Sequence, residues 1–263
     1  MEEERFTPGP DPDLASNATP WWGLHAARYD LANRLLGEDR VLDVACGSGY
    51  GLQLLDERAA RTLIGVDVDM DAARTAKAVA RSGGRTCVVA DAAALPFRAN
   101  SFDAVVSFET IEHLTDRRTF VAEIARVLRG TGRAILSTPN AHYTEPVNGT
   151  PRNRYHVHEY TPEELHDELS AAFSSVRLLG QTRSPRFVIP PFEDAQRRLP
   201  SSPLVQARLF CWRLVNKLPM RLRDRLSRAA LGRGFYPGER DYTFSEDSVA
   251  YAPDLVAMCD GRR

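Results

Sequence analysis

Glu109, Glu112 and His113 stand at i, i+3 and i+4, a spacing that places three proton-handling side chains on one face of a helical first turn. An imidazole titrates near neutrality, and paired carboxylates raise each other's pKa unless a cation lies between them. Such a set serves a reaction in which a hydroxyl must lose its proton, by a general base or by a metal. Two further imidazoles, His156 and His158, follow the Ser137-Thr138-Pro139-Asn140 loop in Tyr155-His156-Val157-His158-Glu159-Tyr160-Thr161. That loop comes from the strand expected to neighbour the one carrying Glu109, so it can deliver His156 to the same point.

A second cluster lies upstream. Val41-Leu42-Asp43-Val44-Ala45-Cys46-Gly47-Ser48-Gly49-Tyr50-Gly51 reads as a short strand, a Gly-rich turn and the start of a helix over Leu52 to Ala60. Backbone N–H groups of such a turn, together with a helix N-terminus, face a nucleotide cofactor. The pattern is G-x-G-x-G. A dinucleotide fingerprint needs a glycine at position 52, which is Leu52. Thr62 to Asp67 reads as a second strand ending in an acid. Asp67 lies 20 residues beyond Gly47, which suits a carboxylate on ribose hydroxyls. Asp69 reads as an N-cap for a helix over Met70 to Arg81. Cys87 to Ala92 is a third strand ending in an acid, Asp91, and Phe102 to Phe108 is a fourth.

The elements that must position these residues alternate. A helix over Leu24 to Leu36 leads. Strands follow near 40–45, 62–67, 85–90, 102–108 and 132–138, with helices between them. Alternation of this kind implies a parallel sheet covered by helices, with ligands at the carboxyl ends of the strands. Gly47, Asp67, Asp91, Glu109 and Pro139 all fall at such ends. Thr161-Pro162-Glu163-Glu164 starts another helix with an N-cap and a proline. His166, within it, reads as a surface residue, and His142 as a loop residue. A sixth strand is expected over Val176 to Gln181 and a seventh over Asp254 to Met258.

Taken together, the G-x-G-x-G turn, Asp67, Asp91 and the Phe-Glu-Thr-Ile-Glu-His-Leu segment 108–114 resemble the class I S-adenosylmethionine-dependent methyltransferases. The resemblance implies an α/β, Rossmann-like, seven-stranded and mostly parallel sheet with helices on both faces, its last two strands antiparallel. It implies S-adenosyl-L-methionine as cofactor, with Asp43, Ala45, Gly47, Gly49, Asp67, Val68, Asp91, Ala92, Phe108 and Tyr29 around it. Asp91 would meet the adenine amino group, and Ala92 N–H the ring. Residues 1–37 would form an N-terminal cap segment on a methyltransferase domain over 38–260. Within the cap, Arg28 and Tyr29 are candidates for the methionine end, and packing is the other role open to Tyr29. The segments Phe-Glu-Thr-Ile-Glu-His-Leu and Ser-Thr-Pro-Asn are similar to those of bacterial small-molecule and sugar O-methyltransferases. There, His113 or His156 would be the base and Glu112 its support. The E-x-x-E-H…H pattern is also similar to that of small-RNA 2′-O-methyltransferases. On that likeness Glu109, Glu112, His113 and His156 would hold Mn²⁺ or Mg²⁺.

Composition narrows the partners. The chain has 263 residues, a net charge of −1 and a pI near 6.6. This balance, and the absence of a recognisable RNA-binding module, favour a small-molecule acceptor over a nucleic acid. A metal-dependent RNA ribose methyltransferase, an N-methyltransferase and a non-catalytic cofactor-binding module are the alternatives. No apolar run approaches a bilayer span, and Met1 to Arg5 lacks an apolar signal core, so a cytoplasmic protein is expected. Cys46, Cys87, Cys211 and Cys259 lack zinc spacing and read as reduced thiols. The expected last two strands are about 70 residues apart. The helical insertion over 185–250 contains an amphipathic run, Leu204 to Leu218. Residues 197–240 carry eleven basic and two acidic side chains, 11 − 2 = +9. It reads as a lid with a solvated basic face, or as a surface for an anionic partner such as a membrane. No feature of the chain fixes an oligomeric state.

Overall fold

A computed structural model describes residues 21–37, 39–56, 60–80, 84–187 and 203–263. Its helices are α1 (Trp22–Leu35), α2 (Tyr50–Leu54), α3 (Met70–Val79), α4 (Arg117–Val127), α5 (Ala141–Thr144), α6 (Pro162–Ser170), α7 (Pro203–Asn216) and α8 (Met220–Leu231). The strands are β1 (Asp39–Val44), β2 (Ala60–Asp67), β3 (Arg85–Val89), β4 (Phe102–Phe108), β5 (Leu128–Pro139), β6 (Phe173–Arg183), β7 (Tyr242–Ser245) and β8 (Asp254–Arg262).

The eight strands form one sheet in the order β3-β2-β1-β4-β5-β8-β6-β7. β1 to β5 pair in parallel, and β8 is antiparallel to both β5 and β6. This is the expected Rossmann-like sheet with one strand more than the seven predicted. The addition is β7, four residues inside the expected 185–250 insertion.

Strand alternation divides the core between the two faces. Leu42, Val44, Val105, Ala134 and Leu136 pack with Phe120 and Ile124 of α4 and Leu165 and Leu169 of α6. Their neighbours Val41, Leu63, Ala104, Val106 and Ile135 pack with Tyr29 and Ala32 of α1 and Ala73 and Ala76 of α3. Two helix starts follow the sequence closely. Asp69 caps α3 by accepting from Asp71 N and Ala72 N, and Thr161 and Glu164 form a reciprocal capping box on α6.

Two compact units result. Of the described residues, one contains 28–182 and 244–263, the other 21–27 and 183–243. The first unit includes Arg28 to Leu35 of α1. In the second, Trp212 of α7 stacks on Phe235 at 5.2 Å, and Tyr236 Oη donates to Asn216 Oδ1 at 2.9 Å. No helix among the described residues is long and apolar enough to cross a membrane.

Candidate active site

The chain leaves β1 through three left-handed residues, Ala45 (φ 60°), Gly47 (φ 54°) and Gly49 (φ 84°). Cys46 N–H donates to Val66 O at 2.9 Å and Gly47 N–H to Asp67 Oδ2 at 2.8 Å. Asp67 Oδ1 accepts from Asp69 N at 2.9 Å. The loop is thus fastened to the end of β2. A Cβ on Gly47 would meet no atom within 4 Å, so the loop backbone is open there to a ligand. A Cβ on Gly49 would lie 2.6 Å from Ala76 Cα in α3. Packing against α3 thus requires glycine at 49. α2 is only five residues long, so the loop's own N–H groups outweigh any helix dipole.

Asp43, at the end of β1, is buried and accepts from Tyr29 Oη at 3.1 Å. Burial pushes its carboxyl up to about 8, against the Tyr29 hydrogen bond, which lowers it. Asp43 Oδ1 and Ser48 Oγ are buried and have no hydrogen-bond partner among the described residues. Orphaned acceptors beside an open glycine backbone fit a cofactor with a cationic amino acid end. Tyr29 is packed edge-on to Phe108 at 4.9 Å and to Tyr50 at 5.6 Å. Its ring also lies over Gly51, where a Cβ would approach its hydroxyl to 2.2 Å. Tyr29 and Phe108 thus wall the loop. Val68 is 63% exposed at the end of β2, and Asp91 is exposed after β3 with Oδ1 on Ala93 N at 2.8 Å. Ala92 beside it is partly buried. Exposed apolar and acidic groups at adjacent strand ends suit the two edges of an adenosine.

Arg28 has a different place from the one expected. It is fully buried, with Nε donating to Gln181 Oε1 at 2.7 Å. Nη1 lies 3.0 Å from Glu109 Oε1 and Nη2 3.2 Å from Asp254 Oδ1. Burial alone would lower its pKa, but Glu109 and Asp254 raise it more. Burial lifts Asp254 to about 7 despite Arg28. Gln181 and Asp254 stand opposite each other across β6 and β8, a register that no local pattern in the sequence reveals.

Glu109 has φ 53°, so it leaves the strand in the left-handed region and its side chain turns toward Arg28. Ser137 Oγ donates to it at 2.9 Å. The helical first turn expected for Glu109, Glu112 and His113 is a single 3-10 turn, Ile111–His113, and Glu109 lies outside it. The side chains whose ligating atoms gather within 4.8 Å of one another are Glu112, His113 and His156. Glu109, the fourth member of the candidate metal set, is held instead by Arg28 and Ser137.

Glu112 is completely buried. Thr138 Oγ1 donates to its Oε2 at 3.0 Å, and Oε1 has no hydrogen-bond partner among the described residues. Burial and then the Glu109 charge hold its carboxyl well above the usual range. Its backbone carbonyl accepts from Val157 N at 2.7 Å and His158 N at 3.1 Å, which brings the histidine loop onto the turn. The His113 and His156 rings meet edge-on at 4.9 Å. His113 Nδ1 lies 3.1 Å from the Tyr155 carbonyl, an acceptor only, so Nδ1 carries the proton and Nε2 the lone pair. That Nε2 is 3.8 Å from Glu112 Oε1. His156 Nδ1 is 2.7 Å from Glu159 Oε1, and its Nε2 is 2.9 Å from Asn153 Nδ2. His156 lowers the Glu159 pKa against the effect of burial. His142 and His166 lie apart from this group, beside Glu163 and Asp167.

Comparison with known proteins fits this geometry. The model of a methyltransferase domain matches residues 42–136, from β1 into β5. A Mycobacterium tuberculosis protein named as a probable S-adenosylmethionine-dependent methyltransferase is 38% identical over 205 residues, covering 69% of this chain and 73% of the relative. The ubiquinone/menaquinone biosynthesis C-methyltransferase UbiE of a Geobacter species is 30% identical, over 55% of this chain and 78% of its own. Among solved structures, an S-adenosylmethionine-dependent methyltransferase from Mesorhizobium loti superposes with a TM-score of 0.52 and 17% identity, over 90% of this chain and 98% of its own. The [4+2]-cyclase SpnF does so with 0.56 and 19%, over 90% and 81%. At such identities these two structures report the fold. The chain belongs to the class I S-adenosylmethionine-dependent methyltransferases. It is a methyltransferase enzyme, and S-adenosyl-L-methionine is its cofactor.

Proposed function

We propose that this methyltransferase acts on a hydroxyl of a small molecule, a sugar or specialised metabolite, with His113 as the base. The observation that carries the reading is the contact of His113 Nδ1 with the Tyr155 carbonyl. Its Nδ1 proton is committed to the Tyr155 carbonyl, so the Nε2 lone pair is directed away from that contact, beside Glu112. Bound S-adenosyl-L-methionine supplies an electrophilic methyl group, transferred by in-line displacement at carbon. The Gly47 loop, Asp43, Asp67 and Val68 would hold it, with Asp91 and Ala92 at the adenine edge. His113 Nε2 takes the proton as the acceptor oxygen attacks. Burial and the Glu109 charge raise the Glu112 carboxyl beside His113, and Thr138 fixes its orientation. His156, braced by Glu159 and Asn153, sets the ring geometry of His113.

A metal-assisted reading is supported by the 4.8 Å grouping of Glu112, His113 and His156. Mn²⁺ or Mg²⁺ there would ionise Glu112 and lower the pKa of a bound hydroxyl. It would also have to displace Asn153 from His156 Nε2, which favours the base. The pI near 6.6 favours a small acceptor over RNA. Labelled cofactor incubated with hydroxylated metabolites, followed by mass spectrometry, tests the proposal. The expected product carries one added methyl group that behaves as an ether. A methyl group on carbon or nitrogen rejects hydroxyl methylation.

A further inference from the structure

The insertion between β6 and β7 leaves large apolar side chains on its outer surface. In α8, Arg223, Asp224 and Ser227 turn inward: Ser227 Oγ donates to Gly234 O at 3.1 Å, Asp224 accepts from Phe235 N at 3.1 Å, and Arg223 Nη1 lies 3.3 Å from Tyr236 Oη. The side turned outward carries Leu222, 41% exposed, and Leu226, 52% exposed, one helical turn apart. α7 repeats the arrangement. Trp212 and Asn216 face Phe235 and Tyr236, while Phe210 and Leu214, also one turn apart, are 62% and 47% exposed. Leu218, in the link between the helices, is exposed too. A lid with a merely solvated basic face would bury its leucines. Here large apolar side chains occupy the outer surface of both helices.

The charges around that surface are of one sign. Residues 203–232 contain seven basic side chains and one acidic one, Asp224, which pairs with Arg228 at 2.6 Å. Arg213, Lys217, Arg221 and Arg225 are exposed beside the apolar stripes. Apposing two copies through this face would bring like charges together, which opposes self-association. Nucleic acid would satisfy the arginines but leave aliphatic side chains with nothing to contact. An anionic lipid surface satisfies both sets: leucine and phenylalanine enter the acyl boundary while arginine and lysine extend to the headgroup phosphates.

We infer that the α7–α8 hairpin is a membrane-surface anchor that docks this enzyme on anionic lipid bilayers. It lies on the interface, since neither helix is long and apolar enough to span.

The test is co-sedimentation of the full chain with phosphatidylcholine vesicles, alone or with roughly a third phosphatidylserine, at low and high salt. Wild type should bind the anionic vesicles at least tenfold more tightly than the neutral ones, with the difference falling in high salt. Leu222→Ser with Leu226→Ser, and separately Arg221→Gln with Arg225→Gln, should each weaken binding tenfold or more. Both variants change outward-facing side chains, and thermal melting like that of wild type will show that they fold. Equal sedimentation with neutral and anionic vesicles, or undiminished binding by the leucine variant, overturns the proposal. So does a dimer, seen by light scattering, that the leucine variant abolishes without any vesicle binding by wild type.

Discussion

Gly47 N–H donates to the Asp67 carboxylate, Oδ2, at 2.8 Å, so the acid at the end of β2 shapes the glycine loop. Asp67 Oδ2 accepts from Gly47 N–H and its Oδ1 from Asp69 N–H. Replacing Asp67 should therefore loosen the loop and weaken the cofactor together.

Asp67→Ala is expected to weaken S-adenosylhomocysteine by about 1.5–3 kcal/mol, the worth of charge-assisted hydrogen bonds. It should also lower the melting temperature of the protein without ligand, because the Gly47 and Asp69 N–H groups lose their acceptor. Calorimetry and thermal melting read the two effects. A drop in affinity with no change in melting would mean that the loop stands without Asp67.

Gly49→Ala and Gly47→Ala should separate stability from binding. The first puts a Cβ 2.6 Å from Ala76 Cα at φ 84°, and about 2–4 kcal/mol of stability should be lost to clash and strain. The second meets no atom and pays only the left-handed backbone cost of about 1 kcal/mol, while narrowing the space a cofactor needs. Urea denaturation and cofactor titration on both variants check this. Equal destabilisation by the two would contradict the packing role of Gly49.

Asp43 gives a pH signature. Its carboxyl is raised from 3.8 to about 8 by burial, so the folded state favours the protonated form. The stability this confers is complete below about pH 4 and is lost as pH rises toward 8, with a limiting slope of about 1.4 kcal/mol per pH unit. Asp43→Asn cannot ionise and should remove that part of the slope. Denaturation curves at pH 5, 6, 7 and 8 for both proteins measure it. Parallel pH dependences would show that Asp43 is ionised in the fold throughout. Ligand binding adds a second readout: if the buried Oδ1 meets a cationic group, cofactor affinity should rise from pH 6 to 8 in wild type and stay flat in the variant.

His113→Ala should lower kcat by about 10²–10⁴ with little change in cofactor affinity, as expected for loss of a general base. Glu112→Gln preserves shape and the Thr138 contact, so it should retain most of the rate if His113 acts alone. With a metal, the same variant would remove a charged ligand, and EDTA would abolish activity that Mn²⁺ or Mg²⁺ restores. Full activity in chelator together with an active Glu112→Gln enzyme identifies the histidine mechanism. An unimpaired His113→Ala enzyme would reject His113 as base.

Much of the architecture was legible because it rests on local signals. The apolar strands around Asp43, Asp67 and Phe108, the Asp69 cap and the Thr161-Pro162 start all declare themselves within a few residues. The family likeness was legible for the same reason. Glu109 was not, because its direction depends on a left-handed φ and on Arg28, 81 residues earlier. Arg28 was misplaced because its partners, Gln181 and Asp254, are matched only by antiparallel register. β7 escaped notice as four residues with no alternation to mark them. The apolar outer face of α8 was hidden by its composition: the sequence shows leucines among arginines, and only Ser227 and Asp224 packing inward reveals which side is out.

The insertion of β8 between β5 and β6 has a consequence for synthesis. When the ribosome has made residue 183, β6 has no sheet to join. Its neighbours on either side, β7 and β8, are 59 and 71 residues downstream by their first residues. The nascent protein must carry an open β5 edge and an orphan β6 while the cationic hairpin is being translated. Arg28 waits as long for Asp254. Closure of the sheet and completion of the Arg28 ion-pair set are therefore one late event, and until then the growing chain presents unpaired strand edges to chaperones or to its neighbours.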